Sequence, residues 1–155
     1  MTGGKEGWFC GSPDGELYEM CFPTIAELIE DWRNCHGLTE TWLADSGKPC
    51  GIPSELADVV IRLADLCGAH GIVPADIVTP TEHAIVGGDL LEQTEQLQRV
   101  LMHLAADNAR EFNAALALDW CYSFALLHGI DLAGAIETKL AFNATRPARH
   151  GGKRA

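Results

Sequence analysis

Helical spacing of apolar residues is the feature of this 155-residue chain that most restricts its fold. Residues 52–67 read IPSELADVVIRLADLC, and the apolar residues of this run recur every three or four positions. Such recurrence places them on one face of an α-helix. No run in the sequence shows the convincing alternation of apolar and polar residues that is typical of a half-buried strand. The sequence therefore predicts an all-α fold.

Signals for helix starts and stops divide the chain into about five helices. Pro53 lies in the first turn of the second helix, where a missing N–H is tolerated. We expect helices at about residues 15–33, 53–70, 89–106 and 109–128, and a fifth that starts after an Asp131 cap and ends within residues 143–147. Residues 34–51 and 73–88 are expected to be irregular. The prediction is a helical bundle in one domain spanning residues 1–155.

Two segments of the chain resemble each other weakly. His70-Gly71-Ile72 and His128-Gly129-Ile130 both close apolar helices. Superposing the two sequence segments places Asn113 opposite Glu55 and Leu116 opposite Asp58. This pattern is consistent with a degenerate duplication of a two-helix unit, in which the second copy has lost its acidic residues.

The charge of the chain limits what it binds. The net charge is −11, and all 22 acidic residues precede Lys139. From Lys139 to Ala155 there are five basic residues and no acid, and residues 144–155 are expected to form a basic tail. An acidic body repels a polyanion, so we expect no nucleic-acid partner. A small phosphate-bearing ligand remains compatible with the local basic end.

The cellular setting is inferred from apolar runs and cysteines. No apolar run reaches the length of a membrane span, so we expect no membrane partner. The first residues, MTGGKEGWFCGSPDGE, contain no apolar stretch typical of a secretory signal. The six cysteines include no CxxC pair and are interpreted as reduced thiols. Together these features favour a cytoplasmic protein.

Acidic residues recur with helical spacing on the first two predicted helices. Glu27 and Glu30 lie one turn apart on the first helix, and Glu55 and Asp58 lie one turn apart on the second. Antiparallel packing of these helices would bring four carboxylates together, and they repel unless a cation lies among them. Hard oxygen ligands fit Mg²⁺ or Mn²⁺. Spacing alone leaves a second interpretation open, in which these are solvated faces and Asp58 pairs only with Arg62.

Two longer stretches carry a family resemblance. GKPCGIPSELADVVIRLADLCGAHGI and KLAFNATRPARHGGKRA resemble the MazG-like family of all-α nucleoside triphosphate pyrophosphohydrolases, and GELYEMCFPTIAELIEDWR does so more loosely. Together they cover a little under half of the chain. The resemblance implies a Mg²⁺-dependent enzyme that releases a nucleoside monophosphate and pyrophosphate.

The resemblance also implies the roles of the acids. The family binds magnesium through an ExxE motif on its first helix and an ExxD motif on its second, and Glu55 and Asp58 match the latter. Alignment through GEL and EDWR places Thr24 at the first family glutamate and Glu27 at the second. A shift of one turn restores the spacing as Glu27 and Glu30. Glu27, Glu30, Glu55 and Asp58 are thus the expected metal ligands, with Glu27, Glu55 and Asp58 as the catalytic set.

The basic end matches a K-x-x-x-N-x-x-R-P pattern of the same family. Lys139 and Asn143 lie four residues apart and share a helix face, and the Arg146 guanidinium suits bidentate phosphate binding. The resemblance implies that these three residues contact the nucleotide phosphates or sugar. Arg149 and Lys153 are further candidates from the tail.

Several alternatives stay open at this point. Lys48 is a candidate phosphate contact, and Trp42 either stacks on a base or packs against the core. The rival function is a catalytically inactive helical module, derived from such enzymes, that binds a nucleotide or a protein partner. The identity of the nucleotide and any homo-oligomer are not specified by the sequence.

Overall fold

The computed structural model describes residues 25–30, 37–75, 89–106 and 109–146. Of these residues 73% are helical, which confirms the predicted all-α bundle of about five helices. In chain order the elements are α1 (residues 25–30), β1 (Trp42–Leu43), β2 (Pro49–Cys50), α2 (Ile52–His70), α3 (Leu90–Ala105), α4 (Arg110–His128) and α5 (Leu132–Thr145). No helix in the described ranges has both the length and the apolar character needed to cross a membrane.

The ends of the helices coincide with the local signals in the sequence. Asp89 accepts a hydrogen bond from the Glu92 amide while the Glu92 carboxylate accepts one from the Asp89 amide, so a capping box starts α3. Asp131 caps α5 through the Gly134 amide. Of the predicted first helix, residues 25–30 are helical, and the remainder, including Thr24, lies outside the described residues. The same holds for residues 76–88.

The equivalent ends of α2 and α4 have the same geometry. Both helices are 19 residues long, and each is followed by a left-handed glycine, Gly71 or Gly129. The next amide in each case, from Ile72 or Ile130, donates to a carbonyl five residues earlier. The proposed duplication stays a prediction, and these matched ends are what it would explain.

A short β-hairpin lies where the sequence predicts only irregular structure. β1 and β2 pair antiparallel, with Trp42 opposite Cys50 and Leu43 opposite Pro49. The connecting turn is closed by a hydrogen bond from the Ala44 amide to the Lys48 carbonyl. Strands of two residues are too short to show alternation, so their residues give no strand signal.

The core surrounds the first half of α2. Every residue from Gly51 to Val60 is buried. This helix packs against α5, α4 and β2, while α3 packs against α4. Ile25 and Leu28 bring α1 into the same apolar cluster. Glu55 and Asp58 therefore lie within the most buried stretch of the described chain, where an unpartnered charge is costly.

We predict that Gly51→Ala destabilises the protein by about 3 kcal/mol. Gly51 has a φ of 111°, and an added Cβ would clash with the Glu40 carbonyl oxygen and lie 3.2 Å from Cζ3 of Trp42. The matched control is Gly47→Ala, which has a φ of 86° but no atom within 4 Å of the added carbon. Chemical denaturation should show a clearly smaller loss, about 1 kcal/mol, for the control. Equal losses would contradict the close packing of the hairpin on α2.

Candidate functional site

A cavity of about 450 Å³ collects most of the residues that the sequence singles out. We call it the charged cavity. The described residues that line it are Glu27, Lys48, Asp58, Ile61, Arg62, Asp65, Lys139, Phe142, Asn143 and Arg146. Four of the chain's 11 lysines and arginines thus meet three carboxylates. Positive charge is concentrated here although the chain as a whole is strongly acidic.

The charged stripe of α2 faces this cavity. Asp58, Arg62 and Asp65 follow one another at intervals of four and three residues, which keeps them on one side of the helix. Nη2 of Arg62 lies 3.3 Å from Oδ2 of Asp58. Nζ of Lys139 lies 4.0 Å from the same oxygen. The intrahelical ion pair expected as an alternative is therefore present, and a second cation from α5 joins it.

Glu55 is buried and has an incompletely partnered carboxylate. Its exposed fraction is 4%, and its Oε2 atom has no hydrogen-bond partner among the described residues. The pKa of Glu55 is raised to about 7, mainly by burial and in addition by the Glu27 and Asp58 carboxylates. Lys139 and Lys48 act in the opposite direction on this pKa. Three acids and two lysines therefore share one electrostatic environment.

Lys139 reaches this environment from α5 because α5 packs along α2. Its side chain is only 3% exposed, and its Nζ donates a hydrogen bond of 3.2 Å to Oγ of Ser54. The Ser54 hydroxyl in turn donates to the Pro49 carbonyl oxygen at 2.9 Å. The ammonium group is thus fixed by a relay that starts in the hairpin, at a point directly beside Asp58.

Asn143 and Arg146 complete the wall at the end of α5. Asn143 lies one turn beyond Lys139 on the same helix face, as predicted. The Arg146 guanidinium lies over the Phe142 ring, with Cζ 5.7 Å from the ring centroid. This cation–π contact holds the arginine at the rim of the charged cavity with its N–H groups available to an anion.

The environment of the acids bears on whether they fit a divalent metal. The described residues contain no preformed group of three or more His, Cys, Asp or Glu side chains that could hold a metal ion. The donor chemistry nevertheless fits, because the buried Oε2 of Glu55 has no partner and the Glu27 and Asp58 carboxylates disfavour its charge. A hard cation would relieve both effects. Glu27, Glu55 and Asp58 are the residues that would hold it.

Three other predicted residues are not among the described residues that line the charged cavity. Glu30 is exposed on α1 and is not among the described residues that line the charged cavity. Arg149 and Lys153 lie outside the described residues, as does Thr24. Ser54 was missed by the sequence reasoning, which searched for charges. The available signal was its position one turn before Asp58 on the same face.

Comparisons with protein-family models, with curated proteins and with solved structures give no match to this chain.

We predict that the change in the free energy of unfolding caused by Glu55→Gln in the metal-free protein is about 2 kcal/mol more favourable at pH 8 than at pH 4.5. In the native wild type, Glu55 resists ionisation because its pKa is raised to about 7. The stability that protonated Glu55 contributes to the fold is therefore fully present below pH 4.5 and is lost as the pH rises through about 7. Glutamine has no such dependence. Urea denaturation across this pH range with a chelator present measures the difference.

The control for this experiment is Glu95→Gln, which removes an exposed carboxylate on α3. Its stability profile should run parallel to that of the wild type. A Glu55→Gln profile that is also parallel to the wild type would show that Glu55 ionises freely in the native state.

Proposed function

We propose that this protein is a Mg²⁺-dependent nucleoside triphosphate pyrophosphohydrolase that releases a nucleoside monophosphate and pyrophosphate. The observation that carries the proposal is that Glu27 and Asp58 line one cavity together with Lys139, Asn143 and Arg146. These residues come from all three stretches that carry the sequence resemblance. A site for a metal-bound phosphate chain needs both kinds of side chain within one ligand length.

The cationic wall suits the phosphate chain. Lys48, Lys139 and Arg146 offer ammonium and guanidinium donors, and Asn143 adds a neutral amide. Charge accumulates on the departing pyrophosphate in the transition state, and fixed donors stabilise it there without reorganisation. Arg146 provides bidentate geometry, while the buried Lys139 acts as a fixed point charge.

The acidic wall suits the metal and the attacking water. Glu27, Glu55 and Asp58 would hold Mg²⁺ or Mn²⁺, and the sequence resemblance adds Glu30 to this set. The metal supplies polarisation of the phosphate chain and a lower pKa for a bound water. Glu55 serves either as a ligand or as the proton acceptor. Its pKa in the metal-free protein is raised to about 7, mainly by burial, and a general base works best when its pKa is near the operating pH.

The setting that fits this activity is the nucleotide pool of the cytoplasm. Housekeeping enzymes of this kind act on free nucleotides and need neither a nucleic-acid nor a membrane partner. The acidic body of the chain supports this, because it disfavours polyanions while the charged cavity accepts a small anion.

A nucleotide-binding module without catalysis is the second candidate. It is favoured by the Asp58 carboxylate, which already has two cationic neighbours, Arg62 and Lys139. It is also favoured by the lack of a preformed metal group among the described residues. Under this alternative the charged cavity binds phosphates through its bases, and the acids only orient those bases.

The two candidates differ in turnover. Purified protein is incubated with Mg²⁺ and a panel of ordinary, deoxy, deaminated and oxidised triphosphates, and pyrophosphate release is measured. The enzyme proposal expects release with at least one of them. Binding of triphosphates by calorimetry without any release, at the optimum of pH and with Mn²⁺ also tried, would instead support the module.

We predict that Glu27→Gln and Asp58→Asn each lower turnover of the best substrate at least about 100-fold. Both changes keep side-chain size while removing a charge that faces the charged cavity. Glu95→Gln is the matched control, since it removes an exposed acid from α3, and it should keep wild-type turnover. Circular dichroism checks that the helical content of all variants is unchanged. Near-wild-type activity of Asp58→Asn would remove this carboxylate from the mechanism.

A further inference from the structure

A second cavity of about 440 Å³ lies between the β-hairpin, the start of α2 and the first half of α5. We call it the hairpin cavity. Its described lining includes Trp42 of β1, Pro53 at the start of α2, and Ala135 and Thr138 of α5. Cavities of about 300–1,000 Å³ are typical of small-molecule sites. The proposed hydrolysis makes no use of this one.

The lining of the hairpin cavity is largely uncharged. Trp42, Pro53 and Ala135 provide ring and aliphatic surface, and Thr41 and Thr138 provide hydroxyl groups. Asp131 is the one charged side chain in the described lining. Its carboxylate accepts a hydrogen bond from the Gly134 amide at 3.0 Å and thereby caps the N-terminus of α5. Such a surface suits a flat ligand with polar edges rather than an anion.

A hydrogen-bonded pair of side chains links the described linings of the two cavities. Ser54 lines the hairpin cavity, and Lys139 lines the charged cavity. Their side chains are joined by the hydrogen bond of 3.2 Å between Nζ and Oγ. A ligand that passes this pair would place one end among the bases of the charged cavity and the other end beside Trp42.

We propose that the hairpin cavity binds the nucleobase of the triphosphate whose phosphates occupy the charged cavity. This inference rests on the proposed function, and it assigns the choice of nucleotide to residues outside the metal and phosphate set. The Trp42 indole offers a stacking surface to the base, and the threonine hydroxyls can donate to or accept from its polar edge. Because a hydroxyl can take either role, the threonines adapt to the donor and acceptor pattern of one particular base.

The test introduces a bulky side chain into the hairpin cavity at an exposed position of its lining. Thr138 is exposed on α5, so Thr138→Trp introduces bulk into the hairpin cavity without removing a core contact. Leu140→Trp is the matched control, because Leu140 is 49% exposed and belongs to neither described lining. Two probes are compared: the best nucleoside triphosphate of the panel, and inorganic tripolyphosphate, which has phosphates but no base.

We expect Thr138→Trp to weaken binding of the nucleoside triphosphate but not of tripolyphosphate. Thr138→Trp should raise the KM of the triphosphate about tenfold or more while the inhibition constant of tripolyphosphate stays within twofold of wild type. Leu140→Trp should change neither value. Unchanged triphosphate KM in Thr138→Trp would overturn the assignment of the base to this cavity. An equal loss for both probes would also overturn it, since the variant would then act on the phosphate site.

Failure of the proposed hydrolysis is distinguishable from failure of this inference. If the wild type releases no pyrophosphate, the same variants are compared by calorimetry with ATP, GTP, CTP, UTP and tripolyphosphate. A loss of triphosphate binding in Thr138→Trp that spares tripolyphosphate supports the base site without any catalysis. Equal binding by Thr138→Trp and wild type, or no triphosphate binding at all, overturns it.

Discussion

The contact of Lys139 with Ser54 and Asp58 is the interaction on which the rest of the site depends. A buried ammonium group is strongly unfavourable unless it is paired and hydrogen-bonded. Here its partners come from α2, and Ser54 lies 85 residues earlier in the chain. The helix that carries Lys139 also carries Asn143 and Arg146, so the same docking of α5 on α2 places all three against the acids. Folding and assembly of the site are therefore one event.

Unlike Lys139, the Glu55 carboxylate of α2 is buried without a full set of partners. Glu55 lies in the most buried run of the described chain with one oxygen unpartnered, and burial together with the neighbouring carboxylates raises its pKa. Packing alone would favour an apolar residue at this position. Local conflicts of this kind are typical of functional sites, where a ligand completes the arrangement. Under the proposed function, a cation held between α1 and α2 would offset the carboxylates of this charged stripe.

The sequence was sufficient to predict the helices and most residues of the charged cavity. The helices and the cavity were predictable for different physical reasons. Helix bounds follow from periodicity and from local caps such as Asp89 and Asp131, which are encoded within a few residues. Lys139 and Asn143 were predicted to share a face by spacing, but their meeting with Asp58 needed the packing of α5. The hairpin was missed because two residues per strand carry no pattern. Ser54 was missed because a neutral hydroxyl becomes informative only beside the charge that it binds.

The distribution of charge is compatible with the phosphate ligand that we propose for this acidic chain. Long-range attraction of polyanions depends on net charge, which here is −11, and it falls off within a Debye length of about 8–10 Å at physiological salt. Binding within the charged cavity depends instead on four local bases at contact distance, where screening is weak. A short phosphate chain is small compared with the cavity volume of about 450 Å³, whereas a nucleic-acid backbone would have to run over the acidic surface. If the proposed base site is right, discrimination between one nucleotide and another falls to the hairpin cavity, since the phosphates are common to all nucleotides.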